Sequence, residues 1–312
     1  MNKRFITLIL ALAALSGEAS AQQKQGRVHR PLPADYGMKK PTVIGKSKIR
    51  IKYAFQPKDI HDPETWIDCG QLLVGNGLTL YTSYFVAQND SALRAWQKAN
   101  PRKSYYPNRL CLHGRNYAFW SEYQYGYFYV RENELMEQRE QSKARFESAE
   151  SRQRKTEGQL TEWAIMPFPE TTHYCYTEPY PSMKWELTDE RQTICGYQCQ
   201  KATCHWRGRD FVAWFTPKIP IKSGPWKFGG LPGLIMKVYD SRRTYTWEAV
   251  AVENGSFPIY QPEEHFYKKS TREKVWKMQI EWNKRHNELA GVLDLNFRPK
   301  TKRYPYDPLE LE

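Results

Sequence analysis

Four residues in the second half of the chain have the types expected of a metal site. Three thiols and one imidazole are ligands that zinc and copper(I) accept readily. They follow the pattern C-x3-C-x4-C-H and are Cys195, Cys199, Cys204 and His205. By type alone, they indicate a soft-metal site.

Their spacing argues against a single metal centre. The surrounding sequence is typical of a β-strand, which rises about 3.3 Å per residue, so Cys199 and Cys204 would lie roughly 16 Å apart. The sulfurs around one zinc lie within about 4 Å of each other, given a Zn–S distance near 2.3 Å. The pair His173 and Cys175 has the same difficulty. Soft-metal binding is therefore the alternative hypothesis, and we predict no other cofactor.

The first 21 residues have the features of a secretory signal peptide. Lys3 and Arg4 precede an apolar run at 5–15, and an A-x-A site ends at Ala21. The run is too short to span a bilayer, and no later run reaches that length. We predict cleavage after Ala21, a mature protein with no transmembrane segment, and a periplasmic or secreted location.

Export affects how the cysteines and the net charge of the chain are interpreted. Cysteines of exported proteins form disulfides more often than they act as reactive thiols. Six cysteines allow fifteen full pairings. The net charge of +13 favours anionic envelope partners over nucleic acid, which an exported protein rarely meets. The predicted disulfide cysteines are Cys69, Cys111, Cys175, Cys195, Cys199 and Cys204.

Motifs for common catalytic mechanisms are absent. The chain has no Gly-x-Ser-x-Gly, no His-Glu-x-x-His and no phosphate-binding glycine loop. We therefore predict no catalytic residues.

The densest run of conformationally special residues lies at 224–235. It holds four glycines and two prolines in twelve positions, which is typical of a tightly specified turn that leads into a strand. It ends in the hexapeptide Gly230, Leu231, Pro232, Gly233, Leu234 and Ile235.

This hexapeptide and its surroundings resemble the GLPGLI family of exported bacterial proteins. The segment 194–202 resembles the family's I-x-G-Y-x-C-x-K-A strand, 207–216 resembles its GR…AWFT hairpin, and 307–311 resembles its usual ending, NPxEL. The resemblance implies export and a β-rich fold. The family has no established activity, so it implies no catalytic residues.

Alternating apolar residues predict several strands. We expect a strand at 48–55, a hairpin around Asn76-Gly77, a hairpin with a type II′ turn at 207–210, and another joining 234–239 to 244–250. Asn254-Gly255 indicates a further turn. Four tryptophans in this region are expected to fill the core, although an exposed row could instead stack on sugars or line a lipid cavity. They are Trp206, Trp214, Trp226 and Trp247.

Helices are predicted at three places. A capping box formed by Ser270 and Glu273 predicts a helix over 271–289, and 91–99 is predicted to be a short helix. The segment 131–158 is rich in Glu, Arg, Gln and Lys, which predicts an exposed, charged helical insertion.

We therefore expect a mainly β (α+β) protein. A flexible leader at 22–47 precedes a single domain at 48–312, in which a large curved antiparallel sheet is covered by one or two helices. This arrangement resembles the half-barrel of periplasmic lipoprotein carriers. We expect non-catalytic binding of an apolar or amphipathic ligand, with a lipid, a peptide or an envelope protein as the partner.

Overall fold

The computed structural model describes residues 42–63, 66, 68–84, 87, 95, 98–101, 152–164, 173–261, 267–281 and 308–312. Its twelve strands form one sheet that is not closed into a barrel. The mainly β prediction is thus confirmed. The sheet is mixed, because β12 pairs in parallel with β6 while the other pairs are antiparallel.

The strands are assembled in a different order from their order in the chain. Across the sheet it is β12-β6-β5-β4-β3-β2-β1-β11-β10-β9-β8-β7, so the first strand pairs with the eleventh in the middle of the sheet. The strands are β1 Val43–Phe55, β2 Asp68–Gly75, β3 Leu78–Ser83, β4 Arg152–Thr156, β5 Gln159–Ala164, β6 His173–Pro179, β7 Glu186–Ile194, β8 Tyr197–Trp206, β9 Arg209–Thr216, β10 Leu234–Asp240, β11 Thr246–Tyr260 and β12 Tyr267–Lys269.

The strand predictions in the second half of the chain are confirmed. The hairpin β8–β9 and the hairpin β10–β11 form where alternation predicted them. The turn between β8 and β9 differs from expectation. Arg207 and Gly208 have φ of 47° and 76°, and two positive φ values define a type I′ turn, not the predicted type II′.

Two sequence signals were wrong in the centre of the sheet. β1 begins at Val43, so 43–47 belongs to a strand and not to the flexible leader. Asn254-Gly255 does not form a turn but lies inside β11. The register between β1 and β11 shifts between Ser47 and Ile49, and a β-bulge absorbs a local turn signal without ending the strand.

The predicted helical insertion at 131–158 is wrong over its last seven residues. Residues 152–156 form β4, and 157–158 form the turn to β5. β4 pairs with β3 and β5 on its two sides, and this pairing overrides the helix propensity of its polar residues. Residues 131–151 lie outside the described residues, and Cys111 does too.

A helix occupies 272–281, within the predicted 271–289; residues 282–289 lie outside the described part of the chain. Its cap is Thr271, whose hydroxyl accepts a hydrogen bond from the Lys274 amide at 3.4 Å, one position after the predicted Ser270. Val275 packs this helix on Ala164 and Tyr176 of β5 and β6. Positions 95, 98 and 99 of the predicted 91–99 helix are helical.

The main core lies on the face of the sheet that the segment between β9 and β10 covers. Ile51, Tyr53 and Phe55 of β1 are fully buried there, as their alternation predicted. Trp214, Trp226 and Trp247 belong to the same cluster, and Trp206 packs against it partly buried. These tryptophans therefore form core and not an exposed row.

Candidate functional site

The connection between β9 and β10, residues 217–233, is called the signature loop below. Ser223 and Gly229 form an isolated antiparallel bridge within it, and the Phe228 amide donates to the Pro225 carbonyl at 3.1 Å. The Ser223 carbonyl accepts from the Ile235 amide at 3.0 Å. The loop is thus closed on itself and fixed to the start of β10.

Two glycines of the hexapeptide are required by this path. Gly230 has a φ of +87°, a region that L side chains rarely adopt. A Cβ on Gly233 would lie 2.2 Å from the carbonyl oxygen of Thr216, so the β9 backbone approaches too closely for any side chain. The structure thus has the turn into a strand that the glycines and prolines predicted. Leu231, Leu234 and Ile235 are buried, and Pro232 is exposed.

Aromatic packing holds the loop against the sheet. The Trp226 ring stacks on Trp247 with centroids 6.2 Å apart and planes 7° apart. Phe228 meets Phe211 edge to face at 4.9 Å. The indole Nε1 of Trp185 donates to the Gly229 carbonyl at 2.8 Å, which satisfies one buried loop carbonyl.

Lys155 projects from β4 beneath this loop and is 4% exposed. Its Nζ donates to the carbonyls of Gly224 and Phe228, each at 2.7 Å, and lies 3.1 Å from the hydroxyl of Ser223. No carboxylate of the described residues pairs with it. Burial therefore lowers the pKa of Lys155 well below its ordinary value of 10.5.

A groove of about 340 Å³ opens beside Lys155. It lies between the β2–β3 turn, the β4–β5 turn and the signature loop. Val74, Leu78 and Ile221 give it an apolar side, whereas Thr79, Ser223 and Lys222 give it hydroxyls and a cation. The hydroxyls of Thr79 and Ser223 are 3.3 Å apart. The groove therefore combines apolar surface with a few polar groups, as small-molecule sites do.

A second lysine, Lys227, is buried on the signature loop in different surroundings. It is 2% exposed. Its Nζ lies 2.7 Å from Glu162 on β5, 2.7 Å from Glu310, and 2.8 Å from the hydroxyl of Tyr176 on β6. This group of carboxylates and cations, which also includes Glu178, Arg207 and Arg272, is called the charge cluster below.

The charge cluster shifts the pKa values of its members in opposite directions. Burial alone would raise the pKa of Glu310, but Lys227, Arg207 and Arg272 more than offset it and lower this pKa to about 2. Burial, together with the charges of Glu162 and Glu310, raises the pKa of Tyr176 well above its ordinary value of 10.0. Glu310 is thus held ionised and Tyr176 is held neutral.

The predicted metal ligands do not converge. Among the described residues, no group of three or more histidine, cysteine or acidic side chains could hold a metal ion. Cys195 is exposed at the β7–β8 turn, whereas Cys199 and Cys204 are buried. Burial raises the pKa of Cys199 to about 11 and that of Cys204 to about 12, so both are neutral thiols at pH 7. His205 faces solvent and pairs with Asp210 at 2.7 Å.

The predicted disulfides are not formed among the described cysteines. No disulfide joins any two of Cys69, Cys175, Cys195, Cys199 and Cys204. Cys69 and Cys175 lie on β2 and β6, strands that the sheet order separates by three others.

Sequence reasoning assigned no role to either buried lysine. Lys155 lies in a run of polar residues, and nothing in that run indicates burial. Lys227 stands alone between Trp226 and Phe228 in a glycine-rich segment. A single charge in such apolar surroundings is the signal that could have indicated a buried, paired lysine.

Comparison with known proteins is consistent with the sequence interpretation but adds no activity. No curated protein matches the chain. Two solved structures are similar over 75% of it, PNGF-II in the P21 space group (13% identity, TM-score 0.40) and PNGF-II in the C2 space group (12% identity, TM-score 0.42). The alignments cover 34% and 32% of those chains, so this chain spans about a third of their length.

In the described part of the chain, no helix has the length and apolar character that crossing a bilayer requires.

A family model described as a protein of unknown function (Porph_ging) matches residues 207–237. This match covers β9, the signature loop and the first part of β10, the same stretch that carries the GLPGLI hexapeptide.

Proposed function

We propose that this protein is exported and binds an anionic amphipathic ligand without converting it chemically. The ligand's apolar part occupies the groove beside Lys155, and its anionic group lies near Lys222. The observation that carries this proposal is the groove itself, which joins apolar residues to hydroxyls and a cation. Its volume of about 340 Å³ is at the lower end of the roughly 300–1,000 Å³ typical of ligand sites.

The preference for an anion rests on Lys222. Lys155 already has three oxygen partners, as many as an ammonium group has protons to donate. Lys222 is exposed and lines the groove, so its charge is available to a ligand. Glu157 also lines the groove and opposes an anion, so its removal should tighten binding.

Titration with a fluorescent long-chain fatty acid tests the proposal, with the corresponding alcohol as the uncharged comparison. Both should bind saturably, and the acid should bind more tightly. Leu78→Asp should abolish binding of both, because it places a charge on the apolar side of the groove. Lys222→Gln should weaken binding of the fatty acid and leave binding of the alcohol unchanged. Lys218→Gln, an exposed position of the same loop, is the matched control and should change nothing. Unsaturable binding, or binding unaffected by Leu78→Asp in a folded protein, would contradict the proposal.

Export is tested separately. The mature protein recovered from its native host should begin at Gln22 and be released with the periplasmic or extracellular fraction. An intact Met1 in the cytosolic fraction would overturn this part of the proposal without affecting the groove.

A further inference from the structure

Residues 308–312, called the acidic segment below, pack on the β8–β9 hairpin and on the helix 272–281. Their backbone is recognised at four points, one of which is the Glu312 carbonyl, where Arg272 donates a hydrogen bond. Arg209 donates to the Pro308 carbonyl from Nη2 at 2.6 Å and from Nε at 3.1 Å. The Trp276 indole donates to the Glu310 carbonyl at 2.8 Å, and the Leu311 amide donates to the Arg207 carbonyl at 3.0 Å.

The side chains of the acidic segment are recognised as well. The Glu310 carboxylate is 2.7 Å from Lys227 and 2.9 Å from Arg272, and it also pairs with Arg207. Leu309 is buried in the main core. Leu311 covers the turn so closely that a Cβ on Gly208 would lie 2.8 Å from its Cβ.

Two of the three cations that bind Glu310 are held in place by other groups. Lys227 pairs with Glu162 at 2.7 Å and contacts the Tyr176 hydroxyl at 2.8 Å. Arg207 pairs with Glu178 at 2.5 Å. These partners lie on β5 and β6, so the sheet positions both cations without help from the acidic segment.

The charges in this cluster balance only when one further carboxylate is present. Without Glu310, the three cations Lys227, Arg207 and Arg272 face two carboxylates, Glu162 and Glu178. Lys227 then keeps Glu162 and Arg207 keeps Glu178, whereas the half-buried Arg272 is left without a carboxylate partner among the described side chains. The cluster is therefore complementary to one carboxylate that is flanked by apolar side chains.

We propose that this surface is a preformed binding site for a Leu-Glu-Leu peptide, and that residues 308–312 of the chain are its reversibly bound occupant. Charge-assisted hydrogen bonds to the carboxylate supply the specificity. The covalent link to the rest of the chain supplies a high effective concentration of the occupant. A free peptide of the same sequence therefore competes poorly with an intact segment and well with a weakened one.

The test uses the full chain with Glu310→Gln, which keeps the shape of the side chain and removes its charge. A synthetic peptide, acetyl-Pro-Leu-Glu-Leu-Glu, should raise the Tm of this variant but not that of the unaltered chain. The peptide with Gln in place of its first Glu should bind at least 10-fold more weakly. Glu312→Gln is the matched control, because Glu312 is exposed, and it should behave as the unaltered chain does. Absence of a peptide-dependent rise in Tm with folded Glu310→Gln protein would overturn the proposal.

Hydrogen exchange on the unaltered chain tests the same proposal if Glu310→Gln does not fold. The Leu311 amide should exchange through local opening at least 10-fold faster than the Ala213 amide of β9. Equal protection of the two amides would show that the segment leaves only on global unfolding, and would overturn reversible binding. A concentration-dependent dimer that exchanges its acidic segments would overturn occupancy by the chain's own residues.

Discussion

Lys155 and Lys227 are both buried at the signature loop, yet carboxylates surround the charge of Lys227 and neutral oxygens surround that of Lys155. Lys155 contacts two backbone carbonyls and a serine hydroxyl. Lys227 pairs with three carboxylates and contacts a phenol. Neutral acceptors satisfy the hydrogen bonds of an ammonium group but not its charge, and this is why burial lowers the pKa of Lys155.

The difference separates two roles within one loop. Lys155 fixes the backbone of the signature loop by satisfying carbonyls that would otherwise be unpaired. Lys227 joins the loop to β5, β6 and residues 308–312 through charge. The groove opens on the Lys155 side, whereas the acidic segment fills the Lys227 side. The two proposed binding functions therefore use different residues of the signature loop, 221–223 at the groove and Lys227 at the acidic segment.

The largest predicted effect comes from removing the charge of each lysine. Lys227→Met leaves Glu162 and Glu310 without their shared cation, and breaking a buried ion pair costs about 3–5 kcal/mol. Lys155→Met leaves two buried carbonyls unpaired, at about 1–3 kcal/mol for each. The two ranges overlap, so denaturant unfolding at pH 7 should show both variants to be several kcal/mol less stable than the unaltered chain. Their pH dependence should differ, because only Lys227→Met removes a cation that lowers the pKa of Glu310. Lys227→Met should therefore reduce the loss of stability between pH 5 and pH 2, and Lys155→Met should not. An unchanged loss in Lys227→Met would show that charge pairing at Lys227 is not what distinguishes the two sites.

Asp68 extends the comparison to a buried acid that pairs with no cation in the described part of the chain. It is 1% exposed, and its Oδ1 accepts from Ser83 at 2.8 Å, while its Oδ2 has no hydrogen-bond partner among the described residues. Burial raises its pKa from 3.8 to about 7. The folded state therefore binds this proton more tightly than the unfolded state does. Its contribution to stability is complete below pH 3.8 and is lost as the pH rises through about 7.

The expected size of the Asp68 effect is about 4 kcal/mol, from the two pKa values and 1.36 kcal/mol per unit. Asp68→Asn should remove this fall in stability between pH 4 and pH 8, measured by urea unfolding across that range. An unchanged pH profile in the variant would place the titrating group elsewhere.

Glu310 should show the opposite pH dependence, because its pKa is lowered from 4.5 to about 2. Its contribution is complete above pH 4.5 and is lost as the pH falls through about 2, and it amounts to about 3 kcal/mol. Glu310→Gln should flatten this acid limb in urea unfolding between pH 5 and pH 2. Glu312→Gln should leave the limb intact, and a loss of the limb in both variants would contradict the assignment.

The sequence predicted the hairpins better than it predicted the buried charges. β8 and the start of β11 alternate between apolar and polar residues, and β9 and β10 are largely apolar runs. Such local patterns follow directly from strand geometry and burial. β4 is the contrary case. Its residues Arg152–Thr156 are all polar, yet Lys155 is buried, because its partners come from residues 223–228 of the chain. A contact across some seventy residues leaves no periodicity in either segment.

In the candidate site, too, local features could be predicted from the sequence and contacts between distant segments could not. The turn at Gly230 and Gly233 could be predicted, because glycine requirements are local. The metal hypothesis followed from residue types alone, and it was the assumed strand spacing of Cys199 and Cys204 that argued against convergence. The charge cluster joins β5, β6, the signature loop and Glu310, and no local pattern specifies such an assembly.

The smallest predicted effect is that of Ser223→Ala, which removes one of the three oxygens around Lys155. The hydroxyl lies 3.1 Å from Nζ and 3.3 Å from the Thr79 hydroxyl, and loss of one such hydrogen bond costs about 1 kcal/mol. Both carbonyl contacts remain, so the signature loop should keep its position. In denaturant unfolding, Ser223→Ala should therefore be less destabilising than Lys155→Met. If the two variants were equally destabilised, the hydroxyl rather than the carbonyls would be the partner that holds Lys155 in place. Lys155 would then be held by the Ser223 side chain, and it would not be the lysine that fixes the loop backbone.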